Sequence, residues 1–172
     1  MLRSAGQRSY ERMGVPRMEE GHNFKRLKAA VLALSEAQDW DVAKKEWRLV
    51  NISQADEPEI CPCGHYPIMD LCEINNRING KSIEVGNICV KRFLGFRSDL
   101  IFASVKRIKA DIGKGIGTEA AIFFRGRGII NTWEYGFAVD TRLKRNLSGA
   151  QLVARRKINR QILASLQRRG IS

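Results

Sequence analysis

Residues 61–65 read Cys-Pro-Cys-Gly-His, and the segment that they open ends in Val85-Gly-Asn-Ile-Cys89. The chain has four cysteines, and all fall in this segment: Cys61, Cys63, Cys72 and Cys89. Four thiols this close together, with none elsewhere, are typical of one tetrahedral metal site, and zinc is the metal that such ligands favour. The segment therefore predicts a small zinc module in the middle of the chain.

The residues between the cysteines carry strong turn signals. Asn79-Gly80 favours a two-residue hairpin, because both residue types tolerate positive φ. Alternating apolar residues on either side predict strands over 66–75 and 81–85. Asn87 is a good N-cap, so a short helix is expected to place Cys89 in its first turn. A cysteine-bearing turn, a hairpin and a helix with the last cysteine together predict a treble-clef-like module.

Two residues are candidates for the fourth ligand of this site. Zinc in a structural site takes four nitrogen or sulfur ligands, and we expect the four cysteines to supply them. Cys72 falls in the middle of a predicted strand, so His65 is an alternative ligand in its place. A different interpretation treats the thiols as small buried hydrophobic groups without a metal. Neither histidine of the chain stands in a nucleophile motif, which argues against a catalytic cysteine.

Several of these motifs resemble those of a group of uncharacterised bacterial and prophage proteins. The shared residues are Cys61-Pro-Cys-Gly-His65, Cys72-Glu-Ile-Asn-Asn76, Asn79-Gly80, Val85-Gly-Asn-Ile-Cys-Val-Lys-Arg-Phe93, Trp133-Glu-Tyr135 and Lys144-Arg-Asn-Leu-Ser148. The similarity extends from about Phe24 onward. It implies a zinc-containing protein of bacterial or phage origin, and it supplies no activity.

The positive charge of the chain is concentrated in its second half. The formal net charge is +12, and residues 97–172 carry 16 basic and 5 acidic residues. Such asymmetry is the usual electrostatic signature of a nucleic-acid partner, although a solvated basic face gives the same pattern. The candidate phosphate contacts are Lys91, Arg92, Lys106, Arg107, Lys114, Arg125, Arg127, Arg142, Lys144, Arg145, Arg156, Lys157 and Arg160.

Hydrophobic periodicity divides the chain into four segments. Residues 1–21 lack periodicity and are expected to be disordered. Residues 22–57 are expected to form a pair of helices, the second over 41–49, and residues 58–96 the zinc-binding hairpin and helix. Residues 97–172 are expected to form a basic helical region. The predicted fold class is α+β, mainly helical, with a small treble-clef-like zinc β-hairpin module in the middle.

Two local patterns in the basic region bear on nucleic-acid binding. The run Gly113-Lys-Gly-Ile-Gly117 lies between two predicted helices, where a helix-hairpin-helix motif holds a phosphate on its glycine amides. A plain glycine-rich turn is the alternative. Ser148 begins a capping box that starts a long C-terminal helix. The apolar stripe of that helix leaves three basic residues on its opposite side: Arg156, Lys157 and Arg160.

Composition and motifs narrow the function classes. No apolar run reaches the roughly 20 residues of a membrane span and no signal peptide is evident, so we expect a cytoplasmic protein without a membrane partner. The leading hypothesis is a non-enzymatic, zinc-stabilised protein that binds DNA or RNA through its basic C-terminal half. The alternative is an adaptor or inhibitor that binds an acidic protein. A zinc-finger-scaffolded nuclease is less favoured, since it needs a histidine base and only His65 lies near the cysteines.

Overall fold

The computed structural model describes residues 21–166, in which seven helices and three strands are defined. In chain order they are α1 (His22–Leu32), α2 (Trp40–Ala43), β1 (Trp47–Glu59), β2 (Ile68–Asn76), β3 (Ser82–Gly86), α3 (Asn87–Leu94), α4 (Ser98–Ala110), α5 (Thr118–Gly126), α6 (Thr132–Thr141) and α7 (Gly149–Ser165). The fold is α+β and mainly helical, as the sequence predicts. Predictions on residues 1–20 and 167–172 lie outside the described residues.

The three strands form one antiparallel sheet in the order β1-β2-β3. Cys72, in the middle of β2, lies opposite Ile52 of β1 on one side and Val85 of β3 on the other. A hairpin forms at Asn79-Gly80 as predicted, but the two-residue turn does not, because residues 77–81 separate the strands and only Gly80, at φ 74°, has a positive φ. The central strand is therefore paired along both edges.

Helix α3 begins directly where β3 ends. Gly86 is its N-cap, one residue earlier than predicted, and Asn87 is its first residue. Cys89 consequently lies in the first turn of the helix. The helix ends at Gly95, which has the left-handed conformation at φ 65° that commonly terminates helices. The cysteine-bearing turn, the hairpin and the helix thus follow one another in the predicted order.

The helix predicted over residues 41–49 is correct only in its first part. Helix α2 and a 3-10 helix over Lys44–Glu46 continue to Glu46, and strand β1 runs over Trp47–Glu59. The segment 22–57 therefore holds two helices and most of a strand, and the boundary placed after it cuts through β1. The physical reason is the pairing of β1 with β2, a strand that comes later in the chain and overrides the local helical pattern.

One hydrophobic core joins the sheet to the helices. Leu27 of α1, Ile74 of β2, Val105 of α4 and Ile162 of α7 are all buried in the same cluster. The four cysteines belong to this cluster as well. The cysteine-bearing segment is therefore packed into the body of the protein, and its geometry is fixed by the same core that holds the helices.

A buried carboxylate ties the hairpin to the N-terminal helices. The Glu46 carboxylate accepts hydrogen bonds from the Glu36 and Ala37 N–H groups at 3.0 and 2.8 Å. Asn76 Nδ2 donates to it at 2.6 Å. Burial raises the pKa of Glu46, but these hydrogen bonds outweigh burial and hold the pKa below its ordinary value of 4.5.

Glu46→Gln is expected to make stability less dependent on pH. Because the folded pKa is lowered, the carboxylate stabilises the fold above the unfolded pKa, and this contribution is lost as pH falls through the folded pKa. The variant should be less stable than wild type near neutral pH, and the gap should close in acid. Urea unfolding between about pH 7 and about pH 3 measures this, with the exposed Glu57→Gln as control. A gap that stays constant with pH would contradict the assignment.

Candidate metal centre and basic surface

Three cysteines converge at one point between the sheet and α3. Cys61 and Cys63 lie in the turn that follows β1, and Cys89 lies in the first turn of α3. Their three Sγ atoms lie within 4.8 Å of one another, and the Cys61 and Cys89 sulfurs are 3.5 Å apart. A tetrahedral ion with bonds of about 2.3 Å to sulfur places its ligands about 3.8 Å apart. The three thiols therefore fit a metal site.

The backbone shapes this turn and directs N–H groups at the sulfurs. Gly64, at φ 90°, donates its N–H to the Cys61 carbonyl oxygen at 2.7 Å and so closes the turn. The Gly86 N–H points at Cys61 Sγ, 3.3 Å away, and the His65 N–H points at Cys63 Sγ, 3.4 Å away. Donors placed in this way stabilise thiolates, which are the form of cysteine that binds metals.

The same contacts shift the titration of the cluster. The Cys61 and Cys89 sulfurs share a hydrogen bond at 3.5 Å. This contact and the Gly86 N–H lower the pKa of Cys61 to about 5 against the effect of burial, and the same contact raises the pKa of Cys89. Of this pair, Cys61 is the cysteine whose thiolate the contacts favour.

Cys72 lies outside this group of three sulfurs. Its side chain is fully buried in the central strand, and burial raises the pKa of its thiol to about 12. A thiol that stays protonated in an apolar setting behaves as a small hydrophobic group. The structure thus brings together three of the four expected cysteines. Cys72 is left out because it lies in the middle of β2.

A surface cavity of about 700 Å³ opens onto the three sulfurs. Phe24 and Leu27 of α1 form part of its wall, and Arg92 of α3 also lines it. His65 lines the same cavity and is exposed. The cluster is therefore accessible from one side, and the histidine named as the alternative ligand stands on that side.

All of the predicted phosphate contacts are exposed to solvent. Among the described residues, ion pairs engage three of them. Lys91 contacts Asp99 at 3.1 Å, Lys106 contacts Asp70 at 3.0 Å and Lys114 contacts Asp111 at 3.7 Å. The others named in the sequence analysis have no ion pair within residues 21–166, so most of the positive charge of the basic region faces solvent.

Three separate segments meet around the glycine-rich turn that follows α4. The Arg155 guanidinium, from α7, donates to the carbonyl oxygens of Gly113, at 3.2 Å, and of Thr141. Asn159 Nδ2 donates to the carbonyl oxygens of Ile112 and Lys114 at 2.7 and 2.8 Å. These bonds fix the turn and the end of α6 against α7.

Because these segments meet, four exposed cationic residues lie on neighbouring stretches of backbone. Arg107 Nη1 donates to the Gly115 carbonyl oxygen at 3.3 Å. Gly115 packs against the Arg142 backbone so closely that a Cβ would lie 2.7 Å from the Arg142 oxygen. We call this group the basic junction, and it consists of Arg107, Lys114, Arg142 and Lys144. Its members come from three segments that only the fold places side by side.

Other predicted contacts lie away from the basic junction. Arg125 lies in the last turn of α5 and Arg127 directly follows the helix, whose nine residues span about 13 Å. The Arg125 guanidinium lies 4.8 Å from the centre of the Tyr135 ring. Lys91 and Arg92 lie on α3, in the helix that carries Cys89. The predicted contact set is thus spread over more than one part of the surface.

Three amides of the glycine-rich turn are hydrogen-bonded within the protein. The Gly117 N–H donates to Ser104 Oγ at 3.0 Å, and the Gly113 N–H donates to Asp111 Oδ1 at 2.8 Å. The Lys114 N–H donates to the Asp111 carbonyl oxygen at 3.0 Å. These three donors are satisfied within the protein, which leaves the Gly115 and Ile116 N–H groups as the amides that a helix-hairpin-helix phosphate site could use. The turn also serves as a packing surface for α7.

Comparison of the chain with protein-family models, with curated proteins and with solved structures finds no match. Among the described helices, none combines the length and the apolar character that a membrane crossing needs. Fold and site together define a mainly helical α+β protein with a three-cysteine candidate metal centre. What the protein does has to be inferred from its own residues.

Proposed function

We propose that this is a non-enzymatic, zinc-stabilised nucleic-acid-binding protein of bacterial or phage origin. The observation that carries the proposal is the basic junction, where exposed cations from three segments face solvent together. Arginine and lysine side chains in such a cluster suit phosphate oxygens, and phosphate contacts supply most of the affinity of a sequence-independent binder. The excess of basic residues from residue 97 onward supports the same partner.

Zinc is the metal of this proposal because its ligands are thiolates. Thiolate ligands favour zinc, copper(I) and iron–sulfur clusters over the hard cations, and zinc is the one with a tetrahedral preference and no redox chemistry. When bound, it would supply folding energy by tying the turn after β1 to α3. Cys61, Cys63 and Cys89 would hold it. The metal would therefore stabilise the fold, and the basic junction would bind the nucleic acid.

Neutralising the basic junction is expected to weaken nucleic-acid binding without harming the fold. The double variant Lys114→Gln, Arg142→Gln should bind a labelled duplex less tightly than wild type. The slope of log affinity against log salt should fall in magnitude by about 1.8, which is about 0.9 for each lost phosphate contact. Fluorescence anisotropy across a salt series measures both quantities.

A matched control separates this local effect from the loss of net charge. Lys25→Gln, Lys45→Gln removes the same charge from exposed residues of the N-terminal half, and it should leave the slope within experimental error of wild type. Equal slopes of log affinity against log salt for the two double variants would indicate that phosphates bind elsewhere than at the basic junction. Binding by neither wild type nor variants would favour an acidic protein as the partner.

A further inference from the structure

The three-cysteine centre leaves one position of a tetrahedral ion to be filled. Structural zinc sites are closed by four protein ligands, whereas an open fourth position is typical of catalytic sites. Besides the three thiols, two side chains within residues 21–166 that line the cavity belong to the common zinc ligands: His65 and Asp70. The question of the fourth ligand is thus reduced to these two residues, and it rests on the proposed zinc site.

Asp70 is already committed to other partners. Its Oδ2 atom lies 3.0 Å from Lys106 Nζ, and its Oδ1 atom accepts a hydrogen bond from Gln54 Nε2 at 3.0 Å. Binding zinc would break both contacts. Cys72, the ligand expected from the sequence, is fully buried within the sheet and does not line the cavity. Neither residue is therefore suited to the open position.

His65 is held next to two of the thiolates by its own backbone. Its N–H donates to Cys63 Sγ at 3.4 Å, and its carbonyl oxygen accepts the Cys61 N–H at 3.0 Å. The side chain lines the cavity onto which the sulfurs open, and no hydrogen bond holds the imidazole within the described residues. The imidazole nitrogens lie outside the group of three sulfurs in this structure, so ligation requires the ring to change rotamer.

We infer that His65 is the fourth ligand and that the centre is a closed Cys₃His site. Three thiolates and a neutral imidazole around Zn²⁺ carry one net negative charge, and the Arg92 guanidinium lines the same cavity as a counter-charge. Closure by His65 excludes water from the ion, which makes the site structural and fits the non-enzymatic proposal. The short spacing of Cys61, Cys63 and His65 then gives three ligands from one turn, and α3 gives the fourth.

The test is metal binding by wild type and by the single variants His65→Ala, His65→Cys and Cys72→Ala, with His22→Ala as control. His22 is the other histidine of the chain and does not line the cavity. Zinc content by elemental analysis should be one per wild-type chain. On titration with a chelator, His65→Ala should lose its metal at a lower chelator concentration than wild type, whereas Cys72→Ala and His22→Ala should match wild type.

Cobalt(II) reconstitution gives a second measurement that does not depend on folding yield. The visible bands should indicate tetrahedral cobalt in wild type and should change in His65→Ala. His65→Cys should restore the tetrahedral bands, with stronger thiolate-to-cobalt absorption from a fourth sulfur. Unchanged metal affinity and an unchanged cobalt spectrum in His65→Ala would overturn the inference while leaving the zinc site in place. A wild-type protein that binds neither metal would overturn both.

Discussion

Cys89→Ser is expected to abolish stoichiometric metal binding and to lower the melting temperature strongly. In the proposed site, Cys89 would be the ligand that links α3 to the turn after β1, so its loss would separate the two elements that the metal would join. Structural zinc contributes roughly 10–16 kcal/mol of apparent binding energy in small finger peptides. Losing about 3 kcal/mol of it would lower the Tm of a chain of this size by about 6–12 °C.

Cys72→Ala is the matched control for that experiment. It also removes a buried thiol, but one that lies outside the cluster of three sulfurs. The variant should keep one metal ion and show only the modest loss expected for a small change in a packed core. Differential scanning calorimetry with and without a chelator measures both variants. Cys89→Ser that retains its metal and its Tm would show that the cluster is not a structural site.

Arg155→Met is expected to destabilise the protein by about 3 kcal/mol. The Arg155 side chain is only 7% exposed, and its guanidinium bonds the carbonyl oxygens of Gly113 and Thr141. Hydrogen bonds to charged groups contribute roughly 1.5–3 kcal/mol each, and the carbonyls would lose a buried partner. Burial also lowers the pKa of Arg155, because it disfavours the charged form of the guanidinium.

Arg156→Met provides a control from the adjacent residue. Arg156 is exposed on α7, so its substitution should change the free energy of unfolding by no more than about 0.5 kcal/mol. Urea unfolding of the two variants compares a buried and an exposed arginine in the same helix. Equal stability of the two would mean that the contacts of Arg155 contribute little to holding α7 against the glycine-rich turn.

The sequence predicted the elements whose signals are local. Asn79-Gly80 correctly located the hairpin, although the loop runs over residues 77–81 and only Gly80 has the positive φ expected of both residues. The capping box of Ser148 with Gln151 is confirmed at the start of α7, where Ser148 Oγ accepts the Gln151 N–H. Cys89 lies in the first turn of a helix as predicted, although Gly86 and not Asn87 is the N-cap. In these cases, a few consecutive residues were enough to locate the element.

The features that the sequence did not predict depend on distant partners. Strand β1 exists because β2 pairs with it, and the helical pattern over 41–49 gave no sign of that partner. The apolar stripe placed Arg156, and not Arg155, on the outer side of the last helix, but it gave no sign of the Gly113 carbonyl that Arg155 contacts. Cys72 was counted with the other cysteines by spacing, whereas the pleat of the central strand directs it into the core. Tertiary contacts decide all three.

The central claim is that this protein binds nucleic acid through phosphate contacts, and its salt dependence tests that claim most directly. Wild-type protein would be titrated against labelled duplex DNA, single-stranded DNA and RNA by fluorescence anisotropy over a range of salt. We expect log affinity to fall linearly with log salt, with a slope of about −0.9 per phosphate contact on the duplex. The absence of binding to all three polymers at low salt, or an affinity that does not change with salt, would contradict the proposed function.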